Sequence, residues 1–344
     1  MKILVVGSGG REHAITRALA ENDEAEIHAA VSNRNPGIVE LAADVRKLDT
    51  ESPDEVADYA EEVDAEAAVI GPEGPLEKGV VDELEERGVY AFGPSADAAR
   101  IETDKAWARN FMRENDIPGT PDFETFDNSE DAAEYVEGYD GDVAVKPRGL
   151  TGGKGVRVTG DQLTKEEAVD YVLDSEYDDW VIEERLVGEE FTLQTFVADG
   201  EVRATPAVQD HKRAYEGDEG PNTGGMGSYS DAGYVLPFMT RDDYDTALSI
   251  IEETVDALDG YEGVLYGQFM LTEGGPKVVE FNARFGDPEA MNTLPVMETD
   301  FLEVVRGARD GSLPEVEFSE RATVCKYAVP EGYPTDPEGG TEIT

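Results

Sequence analysis

Short apolar runs alternate with amphipathic segments over the first 95 residues. The runs KILVVG, EIHAAV, AEAAVIG and VYAFGP have the length and composition of buried parallel strands. Between them, Ser52, Pro53 and Glu55 predict a capping box at a helix start, and PLEKGVVDELEERG predicts one helix that ends at Gly88. This order predicts an open, doubly wound parallel sheet. Ligands of such sheets lie at the carboxyl ends of the strands, which here read GSGGRE, VSNRNPG and GPEGPL.

From about residue 98 the pattern changes to helices and antiparallel hairpins. Helices are predicted at TDKAWARNFMREN, at LTKEEAVDYVL with its Thr164–Glu167 cap, from Thr240 to about Asp259, and at TDFLEVVRGARDG. Hairpins are predicted around the loop GLTGGKGV, at the turn Asp199-Gly200, and at the end of GVLYGQFMLTEGGPKVVEFNARF. We therefore expect an α/β domain at 1–98, an α+β domain at 99–317, and the start of an incomplete domain at 318–344.

The stretch KVVEFNARFGDPEA alternates strictly, with Glu280, Asn282 and Arg284 on one face. If the preceding hairpin turns at Glu273-Gly274-Gly275, Thr272 pairs with Pro276 and Gln268 faces Glu280. Oxygen donors of this kind suit Mg²⁺ bound together with substrate phosphates, and a guanidinium one pleat away could bind a carboxylate or a phosphate. The alternative is a charged surface strand, and a lone Glu is uninformative in so acidic a chain.

Two glycine-rich loops are candidates for phosphate or substrate binding. GLTGGKGV differs from a P-loop, because Lys154 is followed by Gly155 and a strand instead of a helix. Its glycines would let backbone N–H groups approach phosphate oxygens, with Lys146 nearby, although a plain flexible turn is the alternative. The loop DHKRAYEGDEGPNTGGMGSYS is costly to order, and the charged residues at its start favour a substrate-facing loop over a linker.

The first turn, GSGGREH, joins a strand to a helix and could hold an anion at the helix amino terminus. A dinucleotide site needs a third glycine, where this chain has Glu12, and an acid after the second strand, where it has VSNRN. Phosphate binding is therefore favoured over dinucleotide binding.

Composition adds an extreme charge balance, with 78 acidic and 28 basic residues and a net charge of −50. The acids are distributed along the chain, which favours an acidic surface suited to a very salty cytoplasm over a disordered or cation-binding tail. Nucleic acid is an unfavourable partner for this charge. With one cysteine, Cys325, and no signal peptide or long apolar run, we expect a cytoplasmic protein that neither spans nor binds a membrane. Cysteine and the three histidines are too few and scattered for a zinc site.

Eight stretches in this order resemble the phosphoribosylamine–glycine ligase (glycinamide ribonucleotide synthetase) family of the ATP-grasp superfamily. They are VVGSGGREHA, IGPEGPL, FGPS, KPRGLTGGKGV, VIEERLVGEE, QDHKR, GPNTGGMGSYS and KVVEFNARFGDPEA. The similarity covers essentially the whole chain, and the pair GPNTGGMG and EFNARFGDPE is highly specific. The resemblance implies a two-lobed ATP-grasp domain at 99–317, with a lid lobe at about 118–187, and a carboxyl-terminal domain that begins near 318.

The resemblance also implies roles for individual residues. For ATP these are Lys105, Lys146, Gly149, Gly152, Gly153, Lys154, Gly155, Glu183, Glu184, Leu186 and Glu190. For Mg²⁺, or Mn²⁺ in its place, they are Glu280 and Asn282, with Gln268 as a third candidate. For phosphoribosylamine they are Gly9, Gly10, Arg11, Glu12, Gly71, Pro72 and Glu73. For glycine and its acyl phosphate they are Asp210, Lys212, Asn222, Thr223, Arg284 and Asp287, of which Asp210 and Arg284, with Lys146, would be catalytic.

The implied reaction joins glycine to 5-phosphoribosylamine through glycyl phosphate, with release of ADP and phosphate, in purine biosynthesis. We expect small-molecule substrates only and a monomeric enzyme. Two alternatives remain: an ATP-grasp ligase for another carboxylate and amine, and a nicotinamide-dependent oxidoreductase built on the first domain. Family members often read KADGLAAGKG where this chain has Pro147, Arg148, Thr151 and Gly152, so the lid contacts are expected to differ in detail.

Overall fold

The computed structural model describes residues 1–150, 155–217 and 219–338. Its first elements are β1 (Lys2–Val6), α1 (Gly10–Leu19), β2 (Glu26–Val31), α2 (Pro36–Leu41), β3 (Asp44–Lys47), α3 (Pro53–Glu62), β4 (Ala67–Ile70), α4 (Glu73–Glu77), α5 (Val80–Glu86) and β5 (Tyr90–Phe92). The five strands are parallel in the order β3-β2-β1-β4-β5, which confirms the predicted doubly wound sheet. The carboxyl ends of β1 and β4 are therefore adjacent.

Three details of this sheet differ from the sequence predictions. The single helix predicted to end at Gly88 is broken into α4 and α5 at Gly79, whose φ of +81° lies in the left-handed region. The capping box of α3 is only half formed: the Ser52 hydroxyl accepts the Glu55 N–H, but the Glu55 carboxylate accepts the Asp49 N–H instead. Strand β3 and helix α2 were not predicted, because both are short and weakly apolar.

The next part of the chain forms an antiparallel sheet, here called the side sheet. Its elements are α6 (Arg100–Thr103), α7 (Lys105–Glu114), β6 (Phe123–Phe126), α8 (Ser129–Gly138), β7 (Val143–Pro147), β8 (Arg157–Val158), α9 (Lys165–Asp174) and β9 (Trp180–Glu184). The strand order is β6-β9-β7-β8, and helices α8 and α9 cover one face around the buried Trp180. Strands β7 and β8 flank the glycine loop as predicted, although Thr151 to Lys154 lie outside the described residues.

The remaining elements build a second antiparallel sheet, here called the central sheet, with the order β11-β10-β16-β17. They are β10 (Glu189–Ala198), β11 (Glu201–Ala204), β12 (Gln209–Asp210), β13 (Arg213–Tyr215), β14 (Glu219–Asn222), β15 (Gly227–Ser230), α10 (Arg241–Ala257), β16 (Gly263–Thr272), β17 (Gly275–Asn282), α11 (Ala290–Thr293), α12 (Phe301–Arg309) and β18 (Thr323–Lys326), with a 3₁₀ turn at Leu294–Val296. The Asp199-Gly200 turn is confirmed, with φ of +48° and +75°.

The register of the β16–β17 hairpin is partly different from the predicted one. Thr272 pairs with Gly275 and not with Pro276, because the turn uses only Glu273 and Gly274. The pairing of Gln268 with Glu280 is nevertheless correct. One step along β16, from Phe269 to Gln268, corresponds to two steps along β17, from Val278 to Glu280, so Val279 is the extra residue of a β-bulge.

The polar segment after β11 was predicted as a loop, but it contains four short strands, β12 to β15. Strands β13 and β14 pair with each other, and β15 pairs with both β12 and β18. Residues near 325 therefore pack against the strand that ends this polar segment. Among the residues that the structure describes, no helix has the length and apolar character required to cross a bilayer.

Candidate active site

A cavity of about 580 Å³ is lined by all three regions of the fold. The amino-terminal part contributes Arg11 from α1, helix α7 contributes Lys105, the side sheet contributes Lys146 from β7, and the central sheet contributes Glu280 from β17. A smaller cavity of about 380 Å³ lies at the carboxyl ends of β1 and β4, and Glu73 lines both. The two cavities therefore adjoin at Glu73.

Most of the predicted site residues line the larger cavity. They are Gly10, Arg11, Glu73, Lys105, Lys146, Glu183, Asp210, Lys212, Thr223, Gln268, Glu280, Asn282, Arg284 and Asp287. Those that line the smaller cavity, besides Glu73, are Gly9, Glu12 and Pro72. Those that line neither cavity are Gly71, Gly149, Gly155, Glu184, Leu186, Glu190 and Asn222. Gly152, Gly153 and Lys154 lie outside the described residues.

Several residues that line neither cavity support those that do. The Gly149 carbonyl accepts a hydrogen bond from Lys105 Nζ at 2.8 Å, which ties the start of the glycine loop to helix α7. The Glu190 carboxylate accepts from the Gln268 amide at 2.9 Å. Gly71 lies against Glu12, since an added Cβ would come within 2.2 Å of a Glu12 carboxylate oxygen. Their contribution to the site is therefore indirect.

Glu280 lines the larger cavity and has four cationic side chains in its neighbourhood. Burial alone would raise the pKa of this carboxyl, but Lys212, Lys105, Lys146 and Arg284 together hold it below its usual value. Within the described part of the chain, no side chain or backbone group forms a hydrogen bond or ion pair with the Glu280 carboxylate. An ionised carboxylate with free oxygens is a suitable ligand for a hard cation.

The other two predicted metal ligands are amides whose carbonyl oxygens each accept a hydrogen bond from a cationic side chain. The Asn282 carbonyl oxygen accepts from Arg284 Nη2 at 3.0 Å and faces the same cavity as Glu280. The Gln268 carbonyl oxygen likewise accepts from Lys212 Nζ at 2.7 Å, and each of these amide oxygens has a second lone pair for a cation. In the described ranges, no group of three or more His, Cys, Asp or Glu could hold a metal alone. One carboxylate and one amide fit a cation that also binds substrate phosphates.

Lys146 belongs to a buried ion cluster. Its Nζ lies 2.7 Å from Glu183 Oε2, and the guanidinium of Arg109 binds both oxygens of the same carboxylate, at 2.7 and 3.1 Å. Burial would raise the pKa of Glu183, but Arg109 and Lys146 lower it instead. Arg109 was not predicted as a site residue. Its spacing of four residues from Lys105 on one helix was the available signal.

Arg284 is held by two carboxylates from the first part of the chain. Its Nε lies 3.2 Å from Glu73 and its Nη2 lies 2.8 Å from Glu102. Burial raises the pKa of Glu102, against the lowering effect of Arg284, and the Ala283 N–H donates to the same carboxylate. Glu102 carried no sequence signal. Arg284 thus links the cavity to the adjoining pocket at Glu73.

Asp210 and Glu289 form a second acidic feature of the cavity. Burial and the neighbouring charge of Glu289 raise the pKa of Asp210 to about 8, although Lys212 opposes the shift. The pKa of Lys212 is raised, because Glu190, Glu280 and the two acids outweigh its burial. Glu289, the last residue of the motif EFNARFGDPE, accepts a hydrogen bond from Tyr266 at 2.9 Å. It was not selected as a site residue in the sequence analysis.

The start of α1 lines both cavities, with Gly10 and Arg11 in the larger one and Gly9 and Glu12 in the smaller one. The Glu12 carboxylate accepts from the Gly9 N–H at 2.5 Å and from Arg11 Nε at 2.6 Å. Arg11 Nη1 also donates to the Phe285 carbonyl at 3.1 Å, which joins α1 to the loop after β17. In the smaller cavity, Ser32 occupies the end of β2, where a dinucleotide-binding site would have an acid.

The segment after β18 closes one side of the larger cavity. The Tyr327 hydroxyl donates to the Asp287 carboxylate, and Val329, Pro330 and Tyr333 line the same cavity. Sequence reasoning did not select these residues, because their approach depends on the pairing of β15 with β18.

Comparison with known proteins agrees with this arrangement. The sequence model of the phosphoribosylglycinamide synthetase N domain matches residues 1–102, and that of the ATP-grasp (A) domain matches residues 103–290. The chain is 53% identical to the phosphoribosylamine–glycine ligase of Methanocella arvoryzae, covering all of this chain and 82% of that protein. It is 54% identical to the phosphoribosylamine–glycine ligase of Methanosarcina acetivorans, covering all of this chain and 80% of that protein.

Two solved structures illustrate the range of the fold. The crystal structure of phosphoribosylamine–glycine ligase from Thermotoga maritima has a TM-score of 0.82 and 29% sequence identity, covering 98% of this chain and 83% of that one. A biotin carboxylase from Campylobacter jejuni has a TM-score of 0.75 at 15% identity, covering 98% and 77%, and shows similarity of fold alone.

Proposed function

Because the chain belongs to the phosphoribosylglycinamide synthetase family, we propose that it ligates glycine to 5-phosphoribosylamine with ATP in purine biosynthesis. The products are glycinamide ribonucleotide, ADP and phosphate. The observation that carries this proposal is the meeting of Lys146, Glu280 and Arg284 in one cavity that adjoins the GSGG pocket at Glu73. Ser32 at the end of β2 gives no support to the nicotinamide-dependent alternative.

In the first half-reaction the glycine carboxylate takes the terminal phosphoryl group of ATP and becomes glycyl phosphate. Lys105 and Lys146 bind phosphate oxygens, and Arg284 binds the carboxylate that becomes the acyl phosphate. No protein nucleophile is needed, so the residues act by positioning and by stabilising charge. Asp210 and Lys212 line the same cavity and would bind glycine.

Glu280 and Asn282 would hold a divalent cation, Mg²⁺ or Mn²⁺, together with the nucleotide phosphates. A cation bound there neutralises negative charge on the phosphoryl group during transfer. Gln268 is a third candidate ligand, and its carbonyl oxygen also accepts from Lys212. This contact orients the lysine beside the proposed cation site.

In the second half-reaction the amino group of phosphoribosylamine attacks the carbonyl carbon of glycyl phosphate, and phosphate leaves. The smaller cavity holds the phosphoribosyl group, with Gly9, Glu12 and Pro72 along its wall. Glu73 lies where the two cavities adjoin, and Arg11 lines the larger cavity beside Glu12 of the smaller one, so the amine would lie near them. Water has to be excluded there, because it would hydrolyse the acyl phosphate.

We also propose domain boundaries at 1–98, 99–317 and 318–344, and a monomeric cytoplasmic enzyme. Light scattering on the purified protein in molar KCl measures the oligomeric state.

The test of the function is a coupled assay for ADP in molar KCl with ATP, MgCl₂, glycine and freshly prepared phosphoribosylamine. ADP formation should require both glycine and phosphoribosylamine. Absence of that double dependence rejects the proposal. Replacing glycine by a panel of other amino acids separates it from a ligase with a different carboxylate, and a fluorescence titration with NADH tests the oxidoreductase alternative.

A further inference from the structure

The β-bulge in β17 leaves the carbonyl of Val279 outside the regular strand pairing. Two buried cations bind this carbonyl: Arg109 Nη2 at 2.7 Å and Lys146 Nζ at 3.0 Å. The neighbouring carbonyl of Val278 also accepts from Arg109, at 3.1 Å. The bulge that sets the position of Glu280 is therefore held by hydrogen bonds from side chains outside the central sheet.

The same two cations share one carboxylate of the side sheet. Arg109 binds both oxygens of Glu183, and Lys146 binds one of them. All three side chains are almost fully buried, with exposures of 3% for Arg109, 3% for Glu183 and 5% for Lys146. One guanidinium from helix α7 thus contacts the side sheet through Glu183 and the central sheet through Val278 and Val279.

These contacts make Arg109 the common support of two groups that the proposed reaction uses. Glu280 follows Val279 directly, so the bulge carbonyl determines where its carboxylate lies. Lys146 has Glu183 and the Val279 carbonyl as its partners, and Arg109 holds both. We propose that Arg109 is a positioning residue that keeps the phosphate-binding lysine and the cation-binding carboxylate in register across the two sheets. This inference rests on the proposed function.

Charge and geometry explain why this position needs arginine. The planar guanidinium presents several donors at once and stays charged when buried, whereas a lysine ammonium offers fewer directed contacts. Glu183 carries one negative charge against the two positive charges of Arg109 and Lys146. The cluster therefore keeps one net positive charge at the cavity wall, where an anionic phosphate would lie.

The experiment compares Arg109→Lys and Arg109→Gln with the unchanged protein, and uses Arg113→Lys as a matched control. Arg113 lies on the same helix but is exposed. Calorimetric titration with MgADP should show about tenfold weaker binding for Arg109→Lys and a larger loss for Arg109→Gln. In the ligase assay, KM for ATP should rise while KM for glycine stays within about twofold. The control should match the unchanged protein in both measurements.

Circular dichroism and gel filtration establish whether each variant is folded. If Arg109→Gln does not fold, the MgADP affinity of Arg109→Lys alone tests the inference. Unchanged MgADP affinity in a folded Arg109→Lys variant overturns the inference, as does an equal rise of KM for ATP and glycine. The titration needs no turnover. If the unchanged protein binds MgADP but has no ligase activity, the proposed function is rejected. The MgADP titration of the Arg109 variants then still decides the role of Arg109.

Discussion

Glu280 lies directly opposite Gln268 in the β16–β17 pair, and it does so only because Val279 is an extra residue in β17. Without the bulge, the short Glu273-Gly274 turn would place Val279 opposite Gln268. A shift of one residue moves every following side chain to the other face of a sheet. The Glu280 side chain would then turn to the face on which Phe281, now 3% exposed, is buried.

Glu280→Gln tests the carboxylate at this position. The substitution keeps the shape of the side chain but removes the negative charge that would hold a divalent cation. We expect kcat to fall by at least about 10²-fold, with a smaller change in KM for glycine. Manganese titration in the presence of ADP, followed by electron paramagnetic resonance, should show weaker binding of the metal.

The matched control for Glu280→Gln is Glu273→Gln, in the exposed turn of the same hairpin. It should retain full activity and metal affinity. Normal manganese affinity in Glu280→Gln would contradict the assignment of this residue as a metal ligand.

Arg11→Ala tests the division into two pockets. Arg11 is 6% exposed and lines the larger cavity beside Glu12 of the smaller one, so its loss removes a charged donor from the proposed phosphoribosylamine side. We expect KM for phosphoribosylamine to rise about 10- to 100-fold, from the ~1.5–3 kcal/mol typical of hydrogen bonds to charged groups. MgADP affinity should stay unchanged.

Arg17→Ala, on the exposed side of the same helix, serves as the control for this substitution. If Arg11→Ala weakened MgADP binding as much as it raised KM for phosphoribosylamine, the separation into a nucleotide cavity and a phosphoribosyl cavity would be wrong.

Asp210→Asn should change the pH dependence of stability. Burial and Glu289 raise the pKa of Asp210 from 3.8 to about 8, so the folded protein retains a proton that the unfolded chain releases between these pH values. The resulting stabilisation is complete below pH 4 and is lost as pH rises through about 8. The side chain of the variant stays neutral at every pH. The melting temperature of the variant minus that of the unchanged protein should therefore grow as the pH is raised from 5 to 9.

Melting curves at constant salt measure this difference. Asp199→Asn, in the exposed β10–β11 turn, is the matched control and should show no such trend. A difference between Asp210→Asn and the unchanged protein that is constant with pH would contradict the raised pKa.

Salt dependence tests the meaning of the net charge of −50. At ~1 M salt the Debye length falls to about 3 Å, so repulsion among the surface acids is screened. We expect the melting temperature and the activity to fall when the protein is dialysed from molar KCl into dilute buffer. A melting temperature that is the same in both solutions would reject adaptation to a salty cytoplasm.

The sequence alone was sufficient for the elements whose signals are local. Parallel strands such as β1 and β4 are continuous apolar runs, and the Asp199-Gly200 turn and the Thr164 cap have specific side-chain chemistry. The strict alternation after Val279 also placed Glu280 and Asn282 on one face. Each of these features depends on backbone preferences over a few residues, which the chain carries wherever it folds.

The tertiary structure decided what depends on contacts between distant segments. The partners of Arg109 lie more than 70 residues away, at Glu183 and Val279, and Glu102 reaches Arg284 across the fold. The bulge at Val279 could not be predicted from the β17 sequence, because its carbonyl is bound by side chains of other elements. A buried charge is costly unless an opposite charge lies beside it. The roles of these buried residues therefore depend on the partners that the folded cavity provides, and not on their neighbours in sequence.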